Sequence, residues 1–142
     1  MTQPLTAAYG AFIARLTYKA LPPAVVNIAK QGFTDCIGAM LAGSREPVTA
    51  AVERVLLADR PAGPANLYFT SKRASAPVAA WINGTAAHAL DYDDVALKGC
   101  HPSAVLVPAI LAEAQALNAS GRDMLVAPVV EMESWAPRPS AD

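Results

Sequence analysis

Charge, aromatic side chains and cysteine are all scarce in this chain, and each scarcity excludes a class of protein. Charged residues make up 16% and aromatic residues 6% of the 142 residues, and eleven basic residues nearly balance twelve acidic ones. Without a Lys/Arg block to neutralise a row of phosphates, the sequence gives no basis for nucleic-acid binding. No apolar run approaches about 18 residues, and the first residues lack a basic segment followed by an apolar one. We therefore expect a cytoplasmic protein without a membrane segment.

The two cysteines, Cys36 and Cys100, are too few and too far apart for a disulfide scaffold. Neither belongs to a Cys-x-x-Cys pair of the kind that binds zinc or exchanges thiols. Cys100 directly precedes His101, but neighbours in sequence seldom present their side chains to each other. We therefore expect two free thiols and no nucleophilic cysteine.

Hydrophobic residues reach 54% and recur at helical spacing, which predicts an all-α fold with a sizeable core. Leu67-Tyr68-Phe69 has β character but is too short to establish a sheet. We predict one helical domain over residues 1–135 and a disordered tail over 136–142. The predicted helices lie at about residues 5–16, 23–42, 48–55, 77–89, 103–117 and 120–127. Ser103 is the predicted N-cap of the fifth helix, and Pro128 interrupts the pattern of the sixth.

Both histidines and three aspartates are concentrated in one short stretch between Trp81 and Leu111. His88 and Asp91 are three residues apart at the predicted end of a helix, and the following loop can fold His101 back toward them. A carboxylate near an imidazole suits removal of a proton from a carbon beside a carboxylate group, while a second group protonates a departing hydroxyl. Histidine suits such transfers because its ordinary pKa of about 6.5 makes both protonation states accessible.

Other interpretations of the same residues remain open. Asp93 and Asp94 can turn or cap the loop through backbone hydrogen bonds, and for Asp93 we favour that structural interpretation. His88 is read as a packing histidine or as a residue that orients Asp91. His88, Asp91, Asp94 and His101 could also be mixed ligands for zinc, manganese or iron, although their spacing matches no recognised metal template. Gly-rich phosphate-binding loops are missing from the sequence, which argues against a nucleotide cofactor.

Three motifs taken together resemble the MmgE/PrpD family: Asn83-Gly84-Thr85, His88-Ala-Leu-Asp91-Tyr-Asp93-Asp94 and His101-Pro102-Ser103. Further upstream, Asp35-Cys-Ile-Gly-Ala-Met-Leu-Ala-Gly43 and Arg73-Ala-Ser75 are similar as well, so the resemblance covers roughly residues 5 to 127. Trp135 to Asp142 has no counterpart in the family, and family members are much longer. The resemblance therefore implies the N-terminal helical part of an enzyme that normally continues into an α/β domain.

The resemblance also implies a function. The family includes 2-methylcitrate dehydratase and cis-aconitate decarboxylase, which act on small polycarboxylates without a metal or organic cofactor. Asp91 and His101 correspond to the family's catalytic Asp and His, as general base and as acid or carboxylate ligand. His88, Asp94 and Lys98 are possible site or supporting residues. Val95 stands where some decarboxylases carry Thr, which disfavours cis-aconitate as substrate.

A polycarboxylate substrate needs cationic partners, for which Lys98 and Arg73 are the nearest candidates in sequence. We expect the full pocket to be incomplete in this short chain, with a homo-oligomer or a missing C-terminal domain completing it. There are two alternatives to a dehydratase. In the first, the chain is an inactive fragment or a helical association module. In the second, it is an epimerase, isomerase or decarboxylase that uses the same proton abstraction.

Overall fold

Six α-helices and one short β-hairpin make up the computed structural model, which describes residues 4–59, 61–96 and 99–135, with side chains to residue 130. The predicted all-α class is confirmed, because helices dominate and the hairpin is small. The predicted tail over 136–142 lies outside the described residues. The helices are α1 (Leu5–Arg15), α2 (Pro23–Gly43), α3 (Pro47–Leu57), α4 (Ala76–His88), α5 (Pro102–Leu117) and α6 (Gly121–Trp135), and antiparallel strands β1 (Ala65–Asn66) and β2 (Arg73–Ala74) form the hairpin.

Proline begins most of the helices. Pro23, Pro47, Pro77 and Pro102 occupy the first or second position of α2, α3, α4 and α5. The first turn of a helix has no partner for its N–H groups, and the ring of proline already holds φ near the helical value. Four of the twelve prolines therefore start helices instead of breaking them.

Helix α4 is the central element, packed against α2, α3 and α5. Its buried side chains are mostly small, with Ala79, Ala86 and Ala87 almost fully buried. Two glycines allow the backbones to approach closely. A β-carbon at Gly43 would overlap the carbonyl oxygen of Ala86, and one at Gly84 would lie 3.1 Å from the carbonyl oxygen of Ala104. The end of α4 is thereby held closely between its neighbours.

Two apolar clusters lie beside α4, and each contains side chains from both α4 and α5. The first joins α2, α4 and α5, and the second joins the hairpin to α4 and α5. Full burial of one large apolar side chain stabilises a fold by about 1.5–3 kcal/mol, so these clusters hold the helices in place. The first contains Phe33, Cys36, Met40, Ala87, Ala104, Leu106, Val107, Ile110 and Leu111, and the second contains Ala65, Leu67, Ala74, Ala76, Val78, Ala79, Ile82 and Ala112.

The last helix is longer than predicted. Helix α6 continues through Pro128 to Trp135 instead of ending at Ala127. Met124, Leu125 and Ala127 pack against the first apolar cluster, and the hydroxyl of Tyr9 on α1 donates a hydrogen bond to the carbonyl of Val130. Tertiary contacts thus outweigh the one hydrogen bond that proline removes.

Leu67-Tyr68-Phe69, predicted to be too short to establish a sheet, lies in the turn between the two strands of the hairpin. Leu67 is 1% exposed in the second cluster, and Phe69 has a left-handed backbone with φ of 64°. Helix α5 begins at Pro102, one residue before the predicted N-cap Ser103. Among the helices of the described ranges, none is long and apolar enough to cross a membrane.

Candidate active site

The loop between α4 and α5 returns the chain to the end of α4. Helix α4 ends at His88, and the N–H of Asp91 donates to the carbonyl of His88 at 3.1 Å. Asp91 has a φ of 55°, a left-handed conformation that Asp adopts more readily than most residues. Reciprocal backbone hydrogen bonds of 2.9 Å between Ala96 and Cys100 then close the loop. His101, just before α5, is thereby brought back to His88.

The buried carboxylate of Asp93 lies between the two imidazoles. Its Oδ1 is 3.0 Å from Nδ1 of His88, and its Oδ2 is 3.1 Å from Nδ1 of His101. The side chain of Asp93 is 0% exposed, and the two imidazole centroids are 4.5 Å apart. Each oxygen of this carboxylate thus lies within hydrogen-bond distance of one imidazole nitrogen. Asp93 therefore holds the histidine pair together.

Asp91 lies on the other side of His101. Its Oδ1 is 3.7 Å from Nε2 of His101, which is ion-pair range but too long for a hydrogen bond. The side chain of Asp91 is 76% exposed, whereas that of His101 is 24% exposed. A protonated His101 can thus face a buried carboxylate with one nitrogen and an accessible carboxylate with the other.

Asp94 points away from the histidines and caps α5. Its Oδ1 accepts the N–H of Ser103 at 3.0 Å, in the first turn of the helix where N–H groups lack partners. This is a correction to the predicted N-cap, because the side chain that caps the turn belongs to Asp94 and not to Ser103. The backbone role that we favoured for Asp93 belongs to its neighbour.

Cys36 lies beneath the site as a protonated thiol. Its sulfur donates to the carbonyl of Ser103 at 3.3 Å. Burial raises the pKa of Cys36 from its ordinary value of 9.0 to about 12, and the negative charges of Asp93, Asp94 and Asp35 add to the shift. Cys100 is exposed. Both cysteines are free, as predicted.

An open cleft of about 800 Å³ lies in front of the histidines. His88 and His101 line it together with Thr85, while Trp81 and Val105 provide apolar walls. The cleft therefore exposes both imidazoles to a molecule bound beside α4 and α5.

Four side chains could also hold a metal ion, since ligand atoms of His88, Asp91, Asp93 and His101 all lie within 4.8 Å of one another. Imidazole nitrogen and carboxylate oxygen suit zinc, manganese or iron. The set differs from the predicted one, because Asp93 takes the place of Asp94. In the observed arrangement both Nδ1 atoms are already bonded to Asp93, so an ion would have to reach the imidazoles through Nε2.

Comparison with protein families decides the relationship of this chain. The model of the MmgE/PrpD N-terminal domain matches residues 8–135. The chain belongs to the MmgE/PrpD family. The match includes the whole candidate site and all of α6, beyond the limit near residue 127 that the motifs indicated. No curated protein matches this chain significantly.

Within this MmgE/PrpD domain, the candidate residues fall into three groups. His88, Asp91 and His101 come together, although His88 bonds to Asp93 and not to Asp91. Asp94 caps α5. Of the two cationic candidates, Lys98 lies outside the described residues, and the guanidinium of Arg73 donates to the carbonyl of Pro64 beside the hairpin.

Asp93 is the site residue that sequence reasoning missed. It lies five residues after His88 and eight before His101, in a loop without helical or strand periodicity. Nothing in that spacing separates Asp93 from Asp94. Only the path of the loop directs one carboxylate inward and the next toward α5.

Proposed function

We propose that this protein is a lyase-type, cofactor-independent dehydratase that resembles 2-methylcitrate dehydratase and acts on a small polycarboxylate. The observation that carries the proposal is the pairing of Asp91 with His101, 3.7 Å apart, in a chain of the MmgE/PrpD family. The pair supplies a base and an acid within reach of one substrate. His101 also lines the cleft that would receive that substrate.

The proposed reaction uses the two groups in one elimination. The Asp91 carboxylate takes the proton from the carbon beside a substrate carboxylate, and the electrons of that C–H bond form the new C=C bond. The C–O bond on the adjacent carbon breaks, and the hydroxyl leaves as water after it receives the Nε2 proton of His101. Asp91 ends protonated and His101 neutral. Transfer of the proton across the 3.7 Å between them restores the starting state.

The substrate's carboxylates would need charge-assisted hydrogen bonds to be held in this cleft. Lys98 remains the sequence-based candidate from the loop, whereas Arg73 already has a partner at the hairpin. The apolar walls at Trp81 and Val105 suit the carbon skeleton between the carboxylates. The preferred substrate class is therefore a compact hydroxy acid with two or three carboxylates.

The test is elimination of water from 2-methylcitrate and related hydroxy acids by the full chain, followed by NMR. We expect Asp91→Asn and His101→Ala to reduce turnover by about 10²–10⁴-fold, the usual contribution of positioned acid–base groups. Cys100→Ala, which alters the exposed neighbour of His101, is the matched control and should retain turnover. Unchanged turnover in His101→Ala would remove that assignment.

The same assay separates the related chemistries. In deuterated water, exchange of the substrate proton without loss of water would indicate an epimerase or isomerase, and release of carbon dioxide would indicate a decarboxylase. We expect turnover to survive treatment with EDTA, because neither proton transfer uses a metal. Loss of turnover on chelation, restored by added metal, would favour the four-residue metal arrangement instead.

A second candidate function is a helical association module without activity. It is favoured by large apolar side chains at the surface, of which Trp81 is 65% and Val105 59% exposed beside the cleft. Ile28 on α2 and Leu117 on α5 are 67% and 69% exposed. Trp81 and Val105 line the same cleft, and apolar side chains grouped at a surface are typical of contacts with another protein chain. A compact monomer in light scattering would count against this function.

A further inference from the structure

The side chain of Asp93 has two hydrogen bonds that the proposed proton transfers do not use. We infer that Asp93 is a positioning residue that holds both His88 and His101 in the Nδ1–H form, so that each histidine presents an unprotonated Nε2 to the cleft when it is neutral. The catalytic consequence rests on the proposed function. The positions of the protons follow from the hydrogen-bond geometry together with an ionised Asp93 carboxylate, and they do not depend on the proposed function.

The carboxylate is buried, whereas the imidazoles are accessible. Asp93 is 0% exposed at its side chain, while His88 is 52% and His101 24% exposed. Because each Nδ1 faces the buried carboxylate, the accessible edge of each ring is the one that carries Nε2. Both histidines also line the cleft. A substrate hydroxyl in the cleft can therefore meet two Nε2 atoms.

The protons on Nδ1 are a distinctive signature, because a free neutral imidazole favours the Nε2–H form. The two oxygens of one carboxylate can accept from two imidazoles only if each Nδ1 carries a proton. A partner on one ring nitrogen thereby determines the chemistry available at the other. His101 then takes a proton at Nε2 to act as the acid, and His88 offers a second Nε2 to orient the hydroxyl that leaves.

Neither neighbouring aspartate can take over this role in the observed arrangement. Asp91 approaches His101 from its Nε2 side at 3.7 Å, and Asp94 accepts the N–H of Ser103. Asp94 is therefore a close control for Asp93. It lies one residue away, carries the same charge and can undergo the same substitution.

The experiment is long-range ¹H–¹⁵N NMR of the ¹⁵N-labelled full chain above pH 8, where a free imidazole is neutral. The chain has only two histidines, so the spectrum contains only two imidazole patterns. We expect both to show a protonated Nδ1 and an unprotonated Nε2. A wild-type spectrum with Nε2–H at either histidine would overturn the inference, and this outcome needs no variant.

The variants sharpen the result. Asp93→Asn leaves one carbonyl oxygen and adds an NH₂ donor, so only one histidine can still donate from Nδ1 and the other should move its proton to Nε2. Asp94→Asn keeps an oxygen for Ser103 and should leave both patterns unchanged. Identical spectra for Asp93→Asn and wild type would also overturn the inference.

The measurement separates this inference from the proposed function. Both histidines in the Nδ1–H form, in a protein that turns over no hydroxy polycarboxylate, would contradict the proposed function and leave Asp93 as the residue that positions the pair. Turnover together with Nε2–H at either histidine would contradict the role of Asp93 and leave the dehydratase proposal intact.

Discussion

The hairpin precedes α4 in the chain, and the loop between α4 and α5, which we call the acidic loop, follows it; one buried polar side chain holds each of them. Asn83, 3% exposed, accepts the N–H of Tyr68 and donates to the carbonyl of Asn66, both at 3.0 Å. Asp93, 5% exposed, instead accepts from two imidazoles. A buried side chain bonded to backbone fixes a turn, whereas one bonded to titratable side chains fixes where their protons lie. The identity of the partners separates a structural residue from a functional one.

The second anchor of each connection accepts a hydrogen bond from a backbone N–H. At the hairpin, Gln115 accepts the N–H of Asn66 at 2.6 Å and donates to the hydroxyl of Tyr68 at 3.0 Å. Burial raises the pKa of Tyr68, and the hydrogen bond from Gln115 opposes that shift. In the acidic loop the second anchor is Asp94 on the backbone of Ser103. Among the four anchoring side chains, Asn83, Gln115, Asp93 and Asp94, Asp93 is thus the one whose loss should affect chemistry more than folding.

The largest effect should come from Asp93→Asn. We expect its kcat on a hydroxy polycarboxylate to fall by about 10²-fold, because one imidazole loses the acceptor that positions it. One altered buried hydrogen bond should cost only about 1–3 kcal/mol of unfolding free energy. Steady-state kinetics and urea denaturation measure the two effects on one preparation. A loss of stability with kcat unchanged would erase the distinction between Asp93 and Asn83.

Asn83→Ala should show the opposite pattern. It leaves the N–H of Tyr68 and the carbonyl of Asn66 without their partner, at about 1–3 kcal/mol for each group left unsatisfied. Urea denaturation should show this loss, while the histidine NMR patterns stay as in the wild type. Asn27→Ala, at an exposed position of α2, is the matched control and should change stability by less than about 0.5 kcal/mol. A change in the histidine patterns would show that the two connections are coupled.

Gly43→Ala tests the close contact between α2 and α4, the helix to which both the hairpin and the acidic loop are connected. The new β-carbon would overlap the carbonyl of Ala86, so α2 and α4 must move apart, at about 1–3 kcal/mol of unfolding free energy. Gly38 lies on the same helix with nothing within 4 Å of a β-carbon, and Gly38→Ala should instead stabilise the protein by about 0.5–1 kcal/mol. Thermal unfolding of the two variants measures both effects. A Gly43→Ala variant as stable as the wild type, or more stable, would contradict the close contact at Gly43.

The smallest effect concerns the thiol beneath the acidic loop. Because the pKa of Cys36 rises from 9.0 to about 12 on folding, the unfolded chain loses this proton first as pH rises. Its contribution is fully present below pH 9 and is lost as pH approaches 12, so the free energy of unfolding should decline across that window. Cys36→Ala should flatten this decline, as measured by urea denaturation at several pH values. An equal slope in the variant would assign it to other groups.

Hydrophobic periodicity predicted most of the helices, and the predictions succeeded or failed at particular residues. Gly43 was correctly predicted as the end of α2, and Pro23 as its start, because both residues act through their own backbone. Pro128 misled the prediction for α6, since packing of Met124 and Leu125 keeps the helix intact beyond it. The hairpin was missed because Asn83 of α4 and Gln115 of α5 hold Asn66 and Tyr68, and such contacts leave no signal in the local β propensity.

The sequence by itself determined helices α1 to α5, the family and the close grouping of His88, Asp91 and His101, because helical spacing and fixed motifs are local properties of the chain. Only the tertiary structure decided that Asp93 lies between the histidines while Asp94 caps α5. Adjacent residues in a loop have no periodic rule for the direction of their side chains. Their partners depend on how the closure between Ala96 and Cys100 returns the chain to α4.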